Sequence, residues 1–278
     1  MEEKMAFYNA KTFKGIPALV ALRGSDLTIC GNRRDARVYL KPEHIRRSRF
    51  YAIHDPCGCL FKQHEKDFRR NGYLVKTINA PGYGGKSVKY NPFAYVQNED
   101  DVHILASALM DGTKGKHIDT GDTGTNLAEF HLFAALISYI SNYASDDEQN
   151  FRTILAAIEK MEYAEDGDDD YLHCVDYLFK DLEEHTINDF SVRLYKQFKD
   201  LAHGKEEKIA HSCVKRFLMF DTADAEDFIS YDHLDLDKIF TRKTVLFVKT
   251  ANSCPVLKFI VPLLYTQLFN IINKQILK

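Results

Sequence analysis

The sequence predicts an α/β protein whose parallel sheet is interrupted by a long helical segment. Strand and helix signals alternate through about the first ninety residues, and mainly helical periods follow between residues 99 and 220. An apolar run of strand length then returns at residues 243–249. With 278 residues, of which 45% are apolar, the chain is long enough for one large domain or two ordinary ones.

Short apolar runs bounded by turns define the elements of the first third. Three runs predict strands: residues 27–30 (LTIC), 49–54 (RFYAIH) and 73–78 (YLVKTI). Residues 60–70 place apolar side chains among charged ones and Gly72 follows as a C-cap, which predicts a helix. Residues 41–49 predict a short helix or a turn, and residues 55–58 a turn. Strands separated by helices are typical of a parallel sheet built from βαβ units.

The middle of the chain predicts five or six helices. The predicted helices lie around residues 102–109, 126–143, 151–158, 172–185, 189–202 and 205–220. Asn150 precedes one of these apolar periods, as an N-cap residue does. Polar segments separate the helices, including the acidic residues 164–170.

The last segment returns to the α/β pattern. Residues 243–249 (KTVLFVK) predict a buried parallel strand, and Pro255 begins a long apolar helix over residues 256–276. We therefore predict three segments: residues 1–96 as the first part of a nucleotide-binding-type domain, 97–235 as an inserted all-helical domain, and 236–278 as the return strand and helix of the first domain.

Composition favours a protein of the cytoplasm. No stretch approaches the roughly 18 apolar residues of a membrane span, because Thr266, Gln267 and Asn270 interrupt the apolar run near the C-terminus. No signal peptide is apparent at the N-terminus. Apart from Cys57 and Cys59 the six cysteines are scattered, which argues for a reducing compartment.

Charge is distributed unevenly along the chain. Residues 1–90 carry 18 basic against 8 acidic residues, whereas residues 91–170 carry 4 against 17. The basic first third includes a dense set of arginines: Arg33, Arg34, Arg37, Arg46, Arg47 and Arg49. These side chains suit nucleic-acid phosphates or an acidic partner. The alternative is a solvated or ion-paired face, with opposite charges facing each other across one folded unit.

Three local motifs resemble known sites but lack necessary parts. APGYGGKS at residues 80–87 has Ala80 where a phosphate-binding loop needs glycine, and Pro92 disfavours the helix that must follow, so it predicts a surface loop. Cys57-Gly58-Cys59 has no second ligand pair at zinc-site spacing. The acidic residues 164–170 lack the closing glutamate of a calcium loop.

Four segments, in this order and at this spacing, resemble the TraG-type coupling proteins of conjugative type IV secretion. They are YNPFAYV at residues 90–96, SVRLYKQFKDLA at 191–202, DHLDLDKIFTRKTVLFVK at 232–249 and FIVPLLYTQLFN at 259–270. The resemblance extends from about Leu27 to Asn270. Members of this family are membrane-anchored hexameric ATPases that recruit DNA–relaxase substrates. The resemblance therefore implies a RecA-like nucleotide-binding domain with an inserted all-helical domain.

The resemblance also implies a phosphate-binding loop after the first strand. Aligning residues 38–42 (VYLKP) on the family's equivalent segment places Arg34, Asp35 and Ala36 at the loop's final glycine, lysine and threonine. In the family the lysine neutralises the β- and γ-phosphates and the threonine hydroxyl holds Mg²⁺. Asp35 would instead place a negative charge beside the phosphates, and Ala36 has no oxygen for the metal. This pattern indicates a degenerate Walker A loop.

Six positions correspond to the family's nucleotide site, which is degenerate in this sequence. They are Gly31, Arg33, Arg34, Asp35, Ala36 and Asp55. Asp55 begins the segment Asp-Pro-Cys-Gly, where the family has Asp-Pro-Lys-Gly. We expect no bound cofactor, no metal and no catalytic residue; ATP with Mg²⁺ would be the cofactors if the family's activity survives.

Two further parts of the family pattern have no counterpart in this sequence. One is the acidic strand that follows the segment resembling residues 259–270, and the other is an N-terminal membrane anchor. We therefore expect a truncated homologue in the cytoplasm or at the cytoplasmic face of the bacterial plasma membrane.

The leading hypothesis is a coupling-protein homologue that no longer hydrolyses ATP but still binds a relaxase or another transfer-substrate protein. An alternative is a piece of an active conjugative DNA-transfer ATPase, split between chains. A second alternative is a non-functional remnant on a mobile element. DNA, a full-length homologous coupling protein and inner-membrane secretion components are the further partners that the resemblance implies. It implies a hexamer for the family but not for this chain alone.

Overall fold

The computed structural model describes residues 20–21, 27–30, 40, 45, 49–81, 87–113, 123–161, 174–239, 241–250 and 254–276. These residues form two compact units. The first, which we call the sheet unit, comprises the described residues up to Lys89 together with those from His233 onward. The second, the helical unit, comprises the described residues of Tyr90–Asp232. The domain limits drawn from sequence at residues 96 and 235 stay a prediction.

The sheet unit is built on a mostly parallel sheet, which confirms the α/β class. Its strands are β1 (Val20–Ala21), β2 (Leu27–Cys30), β3 (Phe50–His54), β4 (Leu74–Ile78) and β5 (Thr244–Val248). They lie in the order β1-β2-β3-β5-β4, with β1 antiparallel to β2 and the remaining pairs parallel. The last strand in sequence therefore pairs between β3 and β4. This arrangement is compatible with a partial RecA-like fold.

Both faces of the central strands are covered. Every residue of β3 and of β5 is buried, as expected for strands of a parallel sheet with two covered faces. Helix α1 (Cys59–Arg70) covers one face through Leu60 and Phe68. The core cluster on this face consists of Leu40, Ile45, Tyr51, Ile53, Leu60, Phe68, Tyr73, Val245 and Phe247.

Lys76 is a buried cation in the middle of β4. Its ammonium group donates to the carbonyl oxygens of His233 and Leu234, at 2.8 and 2.6 Å, and to a carboxylate oxygen of Asp235 at 2.9 Å. Because a buried charge needs such partners, Lys76 fixes the segment that leads into β5 against β4.

The helical unit contains seven α-helices among its described residues. They are α2 (Glu99–Gly112), α3 (Thr123–Tyr143), α4 (Phe151–Glu159), α5 (Cys174–His185), α6 (Phe190–Ala202), α7 (Glu206–Arg216) and α8 (Ala223–Ser230). Asn150 caps α4 as predicted, since its side chain accepts from the Thr153 amide at 3.1 Å. Sequence reasoning predicted five or six helices and missed α8, whose N-cap is Thr222.

The helix predicted over residues 205–220 needs correction. The α-helix ends at Arg216, and a 3₁₀ turn occupies Phe217–Phe220. Phe217 and Phe220 are both buried and lie three positions apart, the repeat of a 3₁₀ helix. The 3₁₀ turn therefore places both phenylalanine side chains on its buried side.

Helix α9 (Pro255–Ile276) follows β5 in the sheet unit. Over Pro255–Lys274 it has the length and composition of a membrane span, but 61% of its most apolar window is buried within the protein. In the part of the chain that the structure describes, it is the one helix of this kind. A core helix is buried in this way, and the burial is consistent with the expectation of no membrane span.

Candidate functional site

Polar side chains gather where β3 and β5 end in the sheet unit. The two strands are paired from Phe50–Thr244 to His54–Val248, so their carboxyl ends lie side by side. Asp55 follows β3 directly, and Lys249 and Thr250 follow β5. Ligands of parallel α/β sheets bind outside the carboxyl ends of the strands. We call this region the carboxyl edge.

Asp55 holds the turn between β3 and α1. Its side chain is buried, and Oδ2 accepts from the Phe61 amide at 2.8 Å. Its backbone amide donates to the Val248 carbonyl at 2.8 Å, and its carbonyl accepts from Gly58 at 3.0 Å. Gly58 has φ +67°, and it offers α1 no side-chain cap. Asp55 therefore supplies the capping carboxylate that the amino end of α1 lacks.

Lys249 places a cation at the same edge. Its ammonium nitrogen lies 3.8 Å from the centroid of the Phe61 ring. Its stem passes over Gly58, where an added Cβ would lie 3.7 Å from the Lys249 Cδ. Burial lowers the pKa of Lys249, while the nearby Asp55 carboxylate opposes that change.

His54 is the buried last residue of β3. Its Nε2 lies 3.4 Å from the Thr250 hydroxyl oxygen, and its buried Nδ1 has no hydrogen-bond partner among the described residues. Burial lowers the pKa of His54, with Asp55 acting in the opposite direction. His54 is therefore expected to be neutral at neutral pH, able to donate or accept a hydrogen bond but not to contribute charge.

Of the residues predicted for the degenerate nucleotide site, the structure describes only Asp55. Gly31, Arg33, Arg34, Asp35 and Ala36 lie outside the described residues. Strand β2 ends at Cys30, which pairs with Ile53 of β3. Strand β2 thus ends at the same edge of the sheet as Asp55, and the predicted loop follows it in the sequence. Lys249 and His54 were not predicted as site residues, although a polar residue at the end of an apolar strand was the available signal for both.

The structure describes only parts of the other sequence motifs, namely the glycine-rich loop, the acidic segment and the arginine cluster. Residues 82–86 and 164–170 lie outside the described residues. Residues 87–91 are not helical, and the Ser87 hydroxyl accepts from the Asn79 amide at 3.0 Å, so Ser87 lies against the end of β4. The described residues contain no group of three or more His, Cys, Asp or Glu side chains arranged to hold a metal. Arg49 is exposed, and the other arginines of its cluster lie outside the described residues.

A groove of about 600 Å³ lies on the helical unit between α4, α8 and the end of α7. Its apolar lining includes Phe151, Leu155, Phe217, Leu218, Phe220 and Ile229. Leu218 is 65% exposed, and Arg152 pairs with Glu226 at 3.0 Å on the rim. Glu159 and Asp221 add two further carboxylates. This apolar surface with an acidic rim is suited to binding a chain segment rather than to chemistry.

These features define an α/β protein whose sheet is assembled from both parts of the sequence that flank a helical unit. Residues 52–276 match the family model described as type IV secretory system conjugative DNA transfer. The chain therefore belongs to that family, as its resemblance to TraG-type coupling proteins implies. No match was found among curated proteins.

Proposed function

We propose that this chain is a coupling-protein homologue that recruits a relaxase, or another transfer-substrate protein, to a type IV secretion system. The family match over residues 52–276 carries the proposal, because it includes the sequences of both the sheet unit and the helical unit. In this proposal the helical unit is the domain inserted into a RecA-like nucleotide-binding-type domain. The chain acts at the cytoplasmic face of the plasma membrane, beside the secretion components and the DNA that the substrate carries.

We propose further that ATP hydrolysis is lost. Asp35 and Ala36 replace the lysine and threonine that hold phosphate and Mg²⁺ in the family, and Arg34 replaces a glycine. A carboxylate beside a triphosphate is repelled by it, and neighbouring arginines do not supply the metal ligand. Substrate recruitment does not need this chemistry.

The groove on the helical unit is the proposed docking site for the substrate. Its lining carries three carboxylates, those of Glu159, Asp221 and Glu226, against Arg152, which is already paired with Glu226. The fitting occupant is a substrate segment with apolar side chains flanked by lysine or arginine. Leu218, exposed on the apolar lining, is the expected anchor point.

Binding of the purified relaxase from the same transfer system tests this proposal. Leu218→Ser removes the exposed apolar contact, so we expect affinity, measured by fluorescence anisotropy, to fall by about tenfold or more. Ile187→Ser is the matched control, because Ile187 is 93% exposed on the helical unit and does not line the groove. Equal binding by the wild type and Leu218→Ser would exclude the groove, and a wild type that does not bind would overturn the recruitment proposal.

A further inference from the structure

Cys57 and Cys59 lie on the turn at the carboxyl edge with only Gly58 between them. Neither forms a disulfide, and their Sγ atoms are in contact. Cys57 is exposed and Cys59 is half-buried, so a small reagent in solution reaches the pair. Two sulfurs this close need little movement to reach the roughly 2.05 Å of a disulfide bond.

The surroundings of the pair favour a reactive thiolate at Cys59. Cys59 is the first residue of α1, where helix amides and the helix dipole favour negative charge. The stem of Lys249 passes over Gly58, which stands between the two cysteines in the sequence. The Cys57 Sγ instead lies 3.9 Å from Oδ1 of Asp55.

We propose that Cys57 and Cys59 are a redox-active pair that forms an intramolecular disulfide by exchange with a small-molecule disulfide such as oxidised glutathione. The Cys59 thiolate attacks one glutathione sulfur, forming a mixed disulfide and releasing one glutathione thiolate. Cys57 then loses its proton and attacks the Cys59 sulfur, which releases the second glutathione. The two cysteines lose two protons and two electrons, and one glutathione disulfide becomes two glutathione thiols.

Oxidation would bridge the turn that leads from β3 into α1. It removes the thiol hydrogen of Cys57, whose Sγ lies 3.9 Å from Oδ1 of Asp55, and the same carboxylate accepts from the Phe61 amide. The redox state of the solution therefore changes the covalent structure of this turn and the contact between Cys57 and Asp55 at the carboxyl edge. This inference does not depend on substrate recruitment, and its test does not require a relaxase.

The test exposes the folded protein to oxidised glutathione, blocks remaining thiols with N-ethylmaleimide and analyses the tryptic peptide of residues 50–62 by mass spectrometry. This peptide contains both Cys57 and Cys59 and no other cysteine. We expect it to lose two hydrogens, to carry neither glutathione nor maleimide, and to recover both thiols with dithiothreitol. A wild-type peptide that keeps a bound glutathione, or that is alkylated at both cysteines, would overturn the proposal.

Single variants test the assigned roles. Cys57→Ser should accumulate glutathione on Cys59, because the second attack is no longer possible. Cys59→Ser should react more slowly, since it lacks the favoured nucleophile. Cys174→Ser, which removes an exposed cysteine of the helical unit, is the matched control and should behave as the wild type. Faster reaction of Cys59→Ser than of Cys57→Ser would contradict the order of attack.

Discussion

Asp189 shows at the scale of one residue how a short polar side chain begins a helix. Its Oδ1 accepts from the Ser191 and Val192 amides at 2.7 and 3.2 Å, and Oδ2 accepts from the Tyr143 hydroxyl at 2.6 Å. Burial raises the pKa of Asp189, but the hydrogen bonds from Ser191, Tyr143 and Val192 together outweigh burial and lower it. The ionised carboxylate therefore stabilises the folded state.

This arrangement predicts the pH dependence of stability. A carboxyl group whose pKa is lower in the folded state stabilises the protein above its unfolded pKa, and this stability is lost as pH falls through the folded pKa. Asp189→Asn keeps a capping oxygen but removes the charge. We expect the stability difference between wild type and Asp189→Asn to be largest near neutral pH and to vanish in acid.

Urea unfolding at several pH values, followed by circular dichroism, measures that difference. Asp189→Ala serves as the control, because it removes the cap itself and should cost about 1 kcal/mol. A difference between wild type and Asp189→Asn that does not change with pH would contradict the assigned charge effect.

Individual site residues were predictable only where a sequence pattern marked them. Asp55 was identified through its place in a family segment, and the structure gives it a capping role. Lys249 follows a strand close to the other end of the chain, so its approach to Phe61 depends on β5 pairing with β3. No local pattern encodes that pairing, and the Lys249 site was therefore missed.

At the scale of elements, Arg216 joins three helices of the helical unit. Its guanidinium pairs with Glu129 of α3, and Nη1 donates to the Met110 carbonyl of α2 and to the Thr113 hydroxyl, at 3.3 and 3.0 Å. Both side chains of the ion pair are 2% exposed. Removing one partner leaves the other charge buried without compensation, which is far more costly than removing both.

We therefore predict that Arg216→Met destabilises the helical unit by about 3–5 kcal/mol. Arg216→Met combined with Glu129→Leu should restore most of that loss, because no charge then remains buried. The chain has no tryptophan, so urea unfolding is best followed by far-ultraviolet circular dichroism. A single variant as stable as the wild type, or a double variant no better than the single one, would be inconsistent with this role.

Most elements followed from sequence periodicity, and the exceptions have physical causes. The predicted strands and α1 agree with the structure to within one residue at their ends. Strand β1 was not predicted, because two residues are too few for a period. Helix α8 was missed because its eight residues include three acidic ones and present a short apolar period. The apolar period continues through Phe217 and Phe220 beyond the end of α7, so periodicity did not mark the change to a 3₁₀ turn.

At the scale of the whole molecule, the strand order is what sequence alone did not determine. The α/β class followed from alternating patterns, but β5 pairs between β3 and β4 across a long sequence separation. The family match over residues 52–276 includes β3, β4 and β5, the three strands that this pairing joins. In the proposed function, this fold keeps the recruitment role and has lost ATP hydrolysis.

Calorimetric titration with ATP and Mg²⁺, combined with an assay of phosphate release, tests that loss most directly. We predict no binding heat beyond dilution and no turnover for the wild type, because Asp35 provides no cation for the phosphates and Ala36 provides no hydroxyl for Mg²⁺. A variant with Arg34→Gly, Asp35→Lys and Ala36→Thr restores the family residues and should bind more tightly than the wild type. Micromolar binding with turnover by the wild type would contradict the proposed loss of ATP hydrolysis.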